Sequence, residues 1–274
     1  MKKIFLFFLS FCFCAILNAQ TIGVQLYTFR NQFAKDVKST IEMIHKMGIT
    51  EVEGGDTYGM QPNDFLKLLH DNNITVPSVG VDYNELQNPQ NAIKTARLFG
   101  AKYVVCFWIP HNDSAGFTLA DADRAIALFN KAGKIFADSG LSFCYHAHGY
   151  EFAEYGQQTL FEHILSQTNP KYVNFEMDVF WIKQPGQDPV QYLRTYPARF
   201  KMLHLKDRRT GTPNSMDGHA DEETNVILGT GDVGIADIMQ AAKDAGVEHY
   251  FIEDESSKSV QQVPESLKYL KSLQ

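Results

Sequence analysis

The chain has 274 residues, with 32 acidic and 25 basic side chains and a formal net charge of −7 at pH 7. An acidic chain is a poor candidate for binding nucleic acid or anionic membranes, because both partners carry negative charge. The length and the hydrophobic fraction of 44% suit one large α/β domain rather than two small ones.

The first 19 residues predict a secretory signal peptide. Two lysines follow the initiator methionine, residues 4–17 form an apolar stretch, and the segment ends at the small residue Ala19. The stretch is too short and wrongly flanked for a lasting membrane span. A lipid anchor at Cys12 or Cys14 is disfavoured, because each follows a bulky phenylalanine. We therefore expect an exported protein, periplasmic or extracellular, whose folded domain spans residues 20–274.

Short β-rich runs alternate with amphipathic stretches along the rest of the chain. The runs begin near Thr21, Glu51, Thr75, Tyr103, Leu141, Val173, Lys201 and His249. Between them, apolar residues recur at helical spacing in 120–140 and 235–246, and Asp188 followed by Pro189 is a typical helix start. Eight such alternations without a Gly-rich dinucleotide fingerprint favour a single-domain (β/α)8 TIM barrel, an α/β fold. A doubly wound open sheet is the alternative.

Four of the later runs are apolar and then stop at a residue that can bind a metal. They are residues 141–148, 173–178, 200–204 and 249–253. Residues two apart in a strand share a face, which predicts same-face pairs at the strand ends: His146 with His148, Glu176 with Asp178, His204 with Lys206, Glu253 with Glu255, Gln25 with Tyr27, and Glu51 with Glu53. The C-terminal ends of parallel strands meet at one mouth, so these imidazoles and carboxylates predict a divalent metal site there. The alternative is that each is an ordinary polar residue at the start of a loop.

Six stretches carry a resemblance to a known family. They are GVQLYTFR at 23–30, YHAHGYEF at 145–152, FEMDVFW at 175–181, LHLKD at 203–207, LGTGDVG at 228–234 and YFIED at 250–254. With these motifs the chain resembles the xylose isomerase-like TIM barrels, also called the sugar phosphate isomerase/epimerase or endonuclease IV-like superfamily. The paired histidines followed by Glu-Phe are similar to one branch of that family.

The resemblance implies a single divalent metal ion, often Mn2+, with Mg2+, Zn2+ or Co2+ as alternatives. An acid, an aspartate, a histidine and a final glutamate hold it, and Asp178, His204 and Glu253 match three of these positions. For the fourth, either His146 replaces the carboxylate that many relatives carry on the fifth strand, or Glu151 folds back to the metal. We expect Glu151, because another carboxylate keeps the site hard enough for Mn2+ or Mg2+.

With Glu151 on the metal, His146 and His148 would be free for proton transfer. Glu253 would serve as a general base as well as a ligand, and Lys206 would steady a developing enolate. An aromatic, hydrogen-bonding wall at the mouth would hold the substrate: Gln25, Tyr27, Glu53, Trp108, His111 and Trp181. For the aromatic residues, simple packing is the alternative.

The implied chemistry is enolisation next to a carbonyl, which is shared by several reactions. Our first expectation is a metal-dependent isomerase or epimerase that acts on a small carbohydrate, an unphosphorylated sugar or keto-sugar, because export argues against phosphorylated metabolites. The alternative is a lyase or hydratase that eliminates from 3-keto-glycosides, or a keto-polyol dehydratase. A non-catalytic sugar-binding barrel is the alternative of a different class. A DNA-repair nuclease is disfavoured by the acidic charge.

Overall fold

Eight parallel strands close into a barrel in the computed structural model, which describes residues 21–112 and 114–274. The strands are β1 (Ile22–Gln25), β2 (Glu51–Gly54), β3 (Thr75–Gly80), β4 (Tyr103–Cys106), β5 (Ser142–His146), β6 (Val173–Asp178), β7 (Phe200–Leu205) and β8 (His249–Ile252). Strands that are consecutive in sequence pair with one another, and β8 returns to pair with β1. The predicted single-domain (β/α)8 TIM barrel is confirmed, and the open-sheet alternative is wrong.

Helices surround the barrel and connect its strands. They are α1 (Arg30–Phe33), α2 (Val37–Lys46), α3 (Pro62–Asp71), α4 (Gln90–Phe99), α5 (Leu119–Asp138), α6 (Leu160–Gln167), α7 (Val179–Lys183), α8 (Pro189–Thr195), α9 (Ile235–Ala245) and α10 (Ser259–Ser272). Local sequence sets several of their ends. The Asp188 carboxylate accepts the Val190 N–H at 2.9 Å at the start of α8, and Gly246 ends α9 with a φ of 76° that side chains rarely adopt.

Most of the apolar core lies between the outer face of the barrel and the helices. On α5, Phe129 and Phe136 are fully buried and lie 5.2 Å and 5.8 Å, between ring centroids, from Phe143 of β5. Burial of each such ring stabilises the fold by roughly 1.5–3 kcal/mol. The apolar face that the sequence predicts for this helix therefore docks it onto the barrel.

The barrel interior combines a small apolar cluster with buried acids. The apolar cluster contains Tyr103, Val105, Cys144, Met202 and Phe251. Glu51, at the start of β2, lies 2.9 Å from Nδ1 of His249 at the start of β8. Glu53 lies on the same face of β2, one layer nearer the mouth, and is fully buried. Barrel interiors are usually filled by branched apolar residues, so buried carboxylates mark a region where function rather than stability selects the residue type.

A short antiparallel hairpin of Asp207–Arg208 and Asn225–Val226 carries a long loop over the mouth. The Asp207 carboxylate accepts three backbone N–H groups of residues 229–233 at 2.9–3.2 Å. This aspartate therefore fixes the turn that follows the hairpin.

The predicted signal peptide, residues 1–19, lies outside the described residues. Among the described helices, none is both long and apolar enough to cross a membrane. Cys106 and Cys144 are buried free thiols.

Candidate metal centre at the barrel mouth

Ligand-type side chains from four successive strands meet at the C-terminal mouth of the barrel. His146 ends β5, Asp178 ends β6, and His204 lies near the end of β7. One ligand atom from each of these three residues lies within 4.8 Å of the other two. Glu253 directly follows β8, and its Oε2 lies 3.2 Å from His204 Nδ1. This convergence is what a metal centre requires. We call these four residues the mouth cluster.

Asp178 uses one carboxylate oxygen locally and presents the other to the cluster. Its Oδ1 accepts the N–H groups of Phe180 at 2.7 Å and Trp181 at 3.2 Å, which begins α7. Its Oδ2 is buried without a hydrogen-bond partner in the described part of the chain and lies 3.9 Å from His146 Nε2. A buried carboxylate oxygen without a partner is costly, so this atom fits the role of a cation ligand.

Two buried acids lie behind the imidazoles. Glu176 Oε2 is 2.9 Å from His146 Nδ1 and 3.2 Å from His204 Nε2. Glu53 Oε2 is 2.5 Å from the same His204 nitrogen. These contacts direct His146 Nε2 and His204 Nδ1 toward the mouth cluster. Carboxylates that hold the far nitrogen of a ligating histidine orient the ring and raise its basicity.

The donor set of the mouth cluster fits a divalent metal ion. It offers two imidazole nitrogens and two carboxylates, and the unpartnered Asp178 oxygen lies among them. Imidazole suits Zn2+, Co2+ and Fe2+, whereas carboxylates suit Mn2+ and Mg2+. The residues present therefore fit the metal that the family resemblance implies.

Lys206 reaches the same cluster from beyond β7. Its side chain is 2% exposed, and its Nζ lies 2.7 Å from Glu253 Oε2 and 3.4 Å from Asp178 Oδ2. It also donates to Glu255. A buried ammonium requires paired acids, and here they come from two strands.

These charges shift the titration of the cluster. Burial opposes the charged form of His204, but the carboxylates of Glu176 and Glu253 outweigh it and raise the pKa of His204 well above its ordinary value. Burial also favours the neutral form of Glu253, but Lys206 and His204 hold the pKa of that carboxyl well below its usual range. Glu253 is therefore an ionised carboxylate at neutral pH.

His148 is a neutral imidazole at the wall of the site. Burial lowers its pKa to about 3. Its Nδ1 is buried and, within the described residues, has no hydrogen-bond partner. The ring lies between Trp108 and Trp181, at centroid distances of 5.4 Å and 5.5 Å. The neutral ring can therefore form a hydrogen bond with a bound molecule.

A cavity of about 620 Å³ opens in front of the mouth cluster. Its walls include aromatic side chains and the tip of the loop over the mouth: Tyr27, Tyr58, Phe107, Trp108, Trp181, Gly218, His219 and Ala220. The described residues that line it include four acids (Asp56, Glu222, Glu253 and Glu255), the guanidinium of Arg30 and the imidazole of His204. The size is that of a small-molecule site.

The structure brings together most of the residues that the sequence proposes for the site. Asp178, His204 and Glu253 converge with His146 and Lys206. The cavity is lined by further predicted residues: Gln25, Tyr27, Trp108, His148 and Trp181.

Glu151, the expected fourth ligand, is not among the residues whose ligand atoms converge with Asp178 and His204, whereas His146 is. Gly149, with a φ of 94°, precedes the turn that carries Glu151. The fully buried Glu151 carboxylate accepts hydrogen bonds from the Tyr145 hydroxyl and the His148 N–H.

Glu53 and His111, which the sequence proposes as substrate-binding residues, are not among the described residues that line the cavity. Glu53 accepts from Gln25 Nε2 at 2.8 Å and from Ser78 Oγ at 2.5 Å, and it lies behind His204 rather than at the cavity. The His111 ring stacks on Trp108 at 5.3 Å, on a side that does not line the described cavity.

Sequence reasoning assigned no role to Phe107, which lines the cavity together with Gly218, His219, Ala220 and Glu222 of the loop. Phe107 had a usable signal, because it lies two residues after the inward-facing Val105. The loop had none beyond its polarity, since its contact with the mouth depends on the hairpin that carries it.

Comparison with known proteins finds relatives of similar sequence and solved structures of similar fold. An inosose dehydratase of Geobacillus kaustophilus is 23% identical over 185 residues, which cover 60% of this chain and 59% of that relative, so the chain matches about three fifths of its length. A sugar phosphate isomerase/epimerase from Parabacteroides distasonis is 24% identical, with 94% of this chain and 96% of that chain covered and a TM-score of 0.73. The IolI protein, solved with a bound zinc atom, is 15% identical, with 93% and 96% covered and a TM-score of 0.70.

The family model described as xylose isomerase-like TIM barrel matches residues 39–273. That span includes strands β2 to β8 and all four residues of the mouth cluster. Because the match covers most of the chain and the barrel has the expected form, the chain belongs to the xylose isomerase-like TIM barrel family.

Proposed function

We propose that the chain is a divalent-metal-dependent enzyme of the isomerase or epimerase type, which enolises an unphosphorylated sugar or keto-sugar next to its carbonyl. The observation that carries this proposal is the convergence of His146, Asp178, His204 and Glu253 at one wall of a cavity. The sugar-modifying relatives support it.

The mouth cluster would hold the metal. When bound, a divalent ion supplies a Lewis acid that acidifies the carbon-bound proton between a carbonyl and a neighbouring hydroxyl. Two imidazoles and two carboxylates support Mn2+, Zn2+ or Co2+ ahead of Mg2+.

Two side chains face the reacting part of a substrate in different roles. Glu253 is held ionised by Lys206 and His204, so it can accept the acidified proton. His148 presents a neutral imidazole at the cavity, where it can form a hydrogen bond with a substrate oxygen. The Lys206 ammonium, beside Glu253, would stabilise negative charge that develops on the substrate.

The cavity walls favour a neutral carbohydrate. The faces of Trp108 and Trp181 suit the apolar faces of a sugar ring, and Gln25 can bond hydroxyls. We also propose that the enzyme works outside the cytoplasm, because the sequence predicts a signal peptide. Export argues against a phosphorylated substrate, so the location favours the same choice.

Elimination of water or an alcohol from a keto-sugar is the second candidate. It requires a base for the α-proton and a different group to protonate the leaving oxygen. The ionised Glu253 can accept the α-proton, and the neutral His148 imidazole can form a hydrogen bond with the leaving oxygen. The dehydratase relative also favours this reaction.

Proton NMR in D2O would test the proposal. Free aldoses, ketoses and 3-keto-glucosides would be incubated with the Mg2+-loaded protein, because Mg2+ does not broaden the spectra, and with Mn2+ and Zn2+ in parallel quenched samples. Deuterium at the carbon next to the carbonyl is the expected result, and the product separates isomerisation or epimerisation from elimination.

Two variants give the test its controls. Glu253→Gln should lose both metal and exchange, whereas His148→Gln should keep the metal and lose part of the exchange, because a contact with the substrate changes. Bound metal without exchange in any of these sugars would contradict the enzymatic proposal and favour a sugar-binding barrel.

A further inference from the structure

The register of β7 and β8 places a lysine among the oxygens that a metal would use. Phe251 lies opposite His204 and Ile252 opposite Leu205, so the next residue of each strand, Glu253 and Lys206, are also neighbours. The contact between them is therefore a consequence of strand pairing, not of a flexible side chain that happens to lie nearby.

The Lys206 ammonium contacts both carboxylates of the mouth cluster. It lies 2.7 Å from Glu253 Oε2, the atom that is 3.2 Å from His204 Nδ1, and 3.4 Å from the otherwise unpartnered Asp178 Oδ2. Two cations a few Å apart on the same oxygens repel each other strongly in a buried site. A divalent ion can therefore bind these oxygens fully only if the ammonium moves away from them.

A third acid contacts the same ammonium. Lys206 also donates to Glu255, which lines the cavity. The backbone on both sides of the Glu255 side chain is fixed: its N–H donates to Asn225 Oδ1 at 2.9 Å, and its carbonyl accepts from Arg30 at 2.8 Å. The rings of Phe180 and Trp181 lie 5.8 Å from Lys206 Nζ in this position and stabilise the cation.

We propose that Lys206 is an internal cation that competes with the divalent metal for Asp178 and Glu253, and that Glu255 is the counter-ion that receives it when the metal binds. The inference rests on the metal-binding part of the proposed function. Lys206 thereby lowers the affinity of the site for metal while it neutralises two buried acids. Glu255 raises that affinity, because it gives the displaced ammonium a place to go.

The test is calorimetric titration of Zn2+ and Mn2+ into the metal-stripped protein, without substrate. Lys206→Met is expected to bind metal more tightly by roughly tenfold or more, because a like charge is removed from the ligand oxygens. Glu255→Gln is expected to bind metal more weakly. In the Lys206→Met background, Glu255→Gln should have no effect, since no ammonium remains to be accommodated.

Lys201→Met is the matched control for loss of one positive charge. Lys201 lies on the same strand, and its Nζ is 3.9 Å from Glu248, remote from the mouth cluster. Its metal affinity should equal that of the wild type. Melting curves give an independent readout: added metal should raise the melting temperature of Lys206→Met more than that of the wild type.

Unchanged or weaker metal binding by Lys206→Met, or an equal effect of Glu255→Gln in both backgrounds, would overturn the proposal. If Lys206→Met does not fold, Glu255→Gln decides the matter alone, since unaltered or tighter metal binding by that variant is incompatible with it. Failure of the wild type to bind any metal would remove this proposal and the proposed function together. Normal competition without turnover would remove only the proposed function.

Discussion

Glu176 offers the sharpest test of how the protein orients its metal ligands. Its Oε2 faces both imidazoles, at 2.9 Å from His146 and 3.2 Å from His204. Glu176→Gln keeps the shape of the side chain and replaces the buried carboxyl group, whose pKa burial and Glu53 raise, with an amide. An acid behind a ligating imidazole typically contributes roughly 10- to 100-fold to metal affinity, so the variant should bind metal roughly 30-fold more weakly.

The assay is titration of Zn2+ and Mn2+ into metal-stripped protein, with Glu51→Gln as the control. Glu51 makes the same kind of contact, 2.9 Å to Nδ1 of His249, but at the opposite end of the barrel. Glu51→Gln should therefore bind metal with the same affinity as the wild type. Equal metal affinities for the wild type and Glu176→Gln would refute the reasoning, because the acid behind the imidazoles would then have no influence on the metal.

Three further predictions concern stability and Glu151. Burial raises the pKa of Glu151 to about 7, so its contribution to stability is complete below about pH 4.5 and is lost as the pH rises through about 7. Glu151→Gln should therefore melt at a higher temperature than the wild type at pH 8 and should bind metal with unchanged affinity. Loss of metal binding by this variant would indicate that Glu151 is a ligand. A Cβ at Gly133 would lie 2.5 Å from the carbonyl oxygen of Tyr172. Gly133→Ala should therefore lower the free energy of unfolding in denaturant titrations by about 1–3 kcal/mol, although alanine favours helix. A neutral or stabilising effect would contradict this packing. Metal added after chelation should raise the melting temperature of the wild type but not of His204→Ala; an equal rise in both would place the metal elsewhere.

The barrel itself was predictable, because its signals are local. Alternation of β-rich runs with amphipathic stretches needs only neighbouring residues, and each predicted strand begins within one residue of its observed start. The ligands Asp178, His204 and Glu253 could be named because a strand end in a parallel barrel always faces the same mouth. The same rule pointed to the cavity positions of Trp108 and Trp181.

The choice between His146 and Glu151 depended on tertiary structure. Both follow the same apolar run, and hardness of the donor set favoured the glutamate. In the folded chain the turn at Gly149 brings Glu151 to the Tyr145 hydroxyl, where a buried carboxylate finds its hydrogen bonds. No local pattern encodes that partnership, since a preference for one metal does not set the direction of a loop.

Strand alternation determined that Glu53, Glu176, Lys206 and Glu255 face inward, but it did not determine their depth or their partners. Those depend on the register between strands that are up to about 150 residues apart in sequence, as in the contact of Glu53 with His204. Only closure of the barrel sets that register. Closure places Glu53 behind the His204 imidazole and Lys206 on carboxylate oxygens of the mouth cluster. The chemistry of a side chain follows from the sequence, but its neighbours depend on the fold.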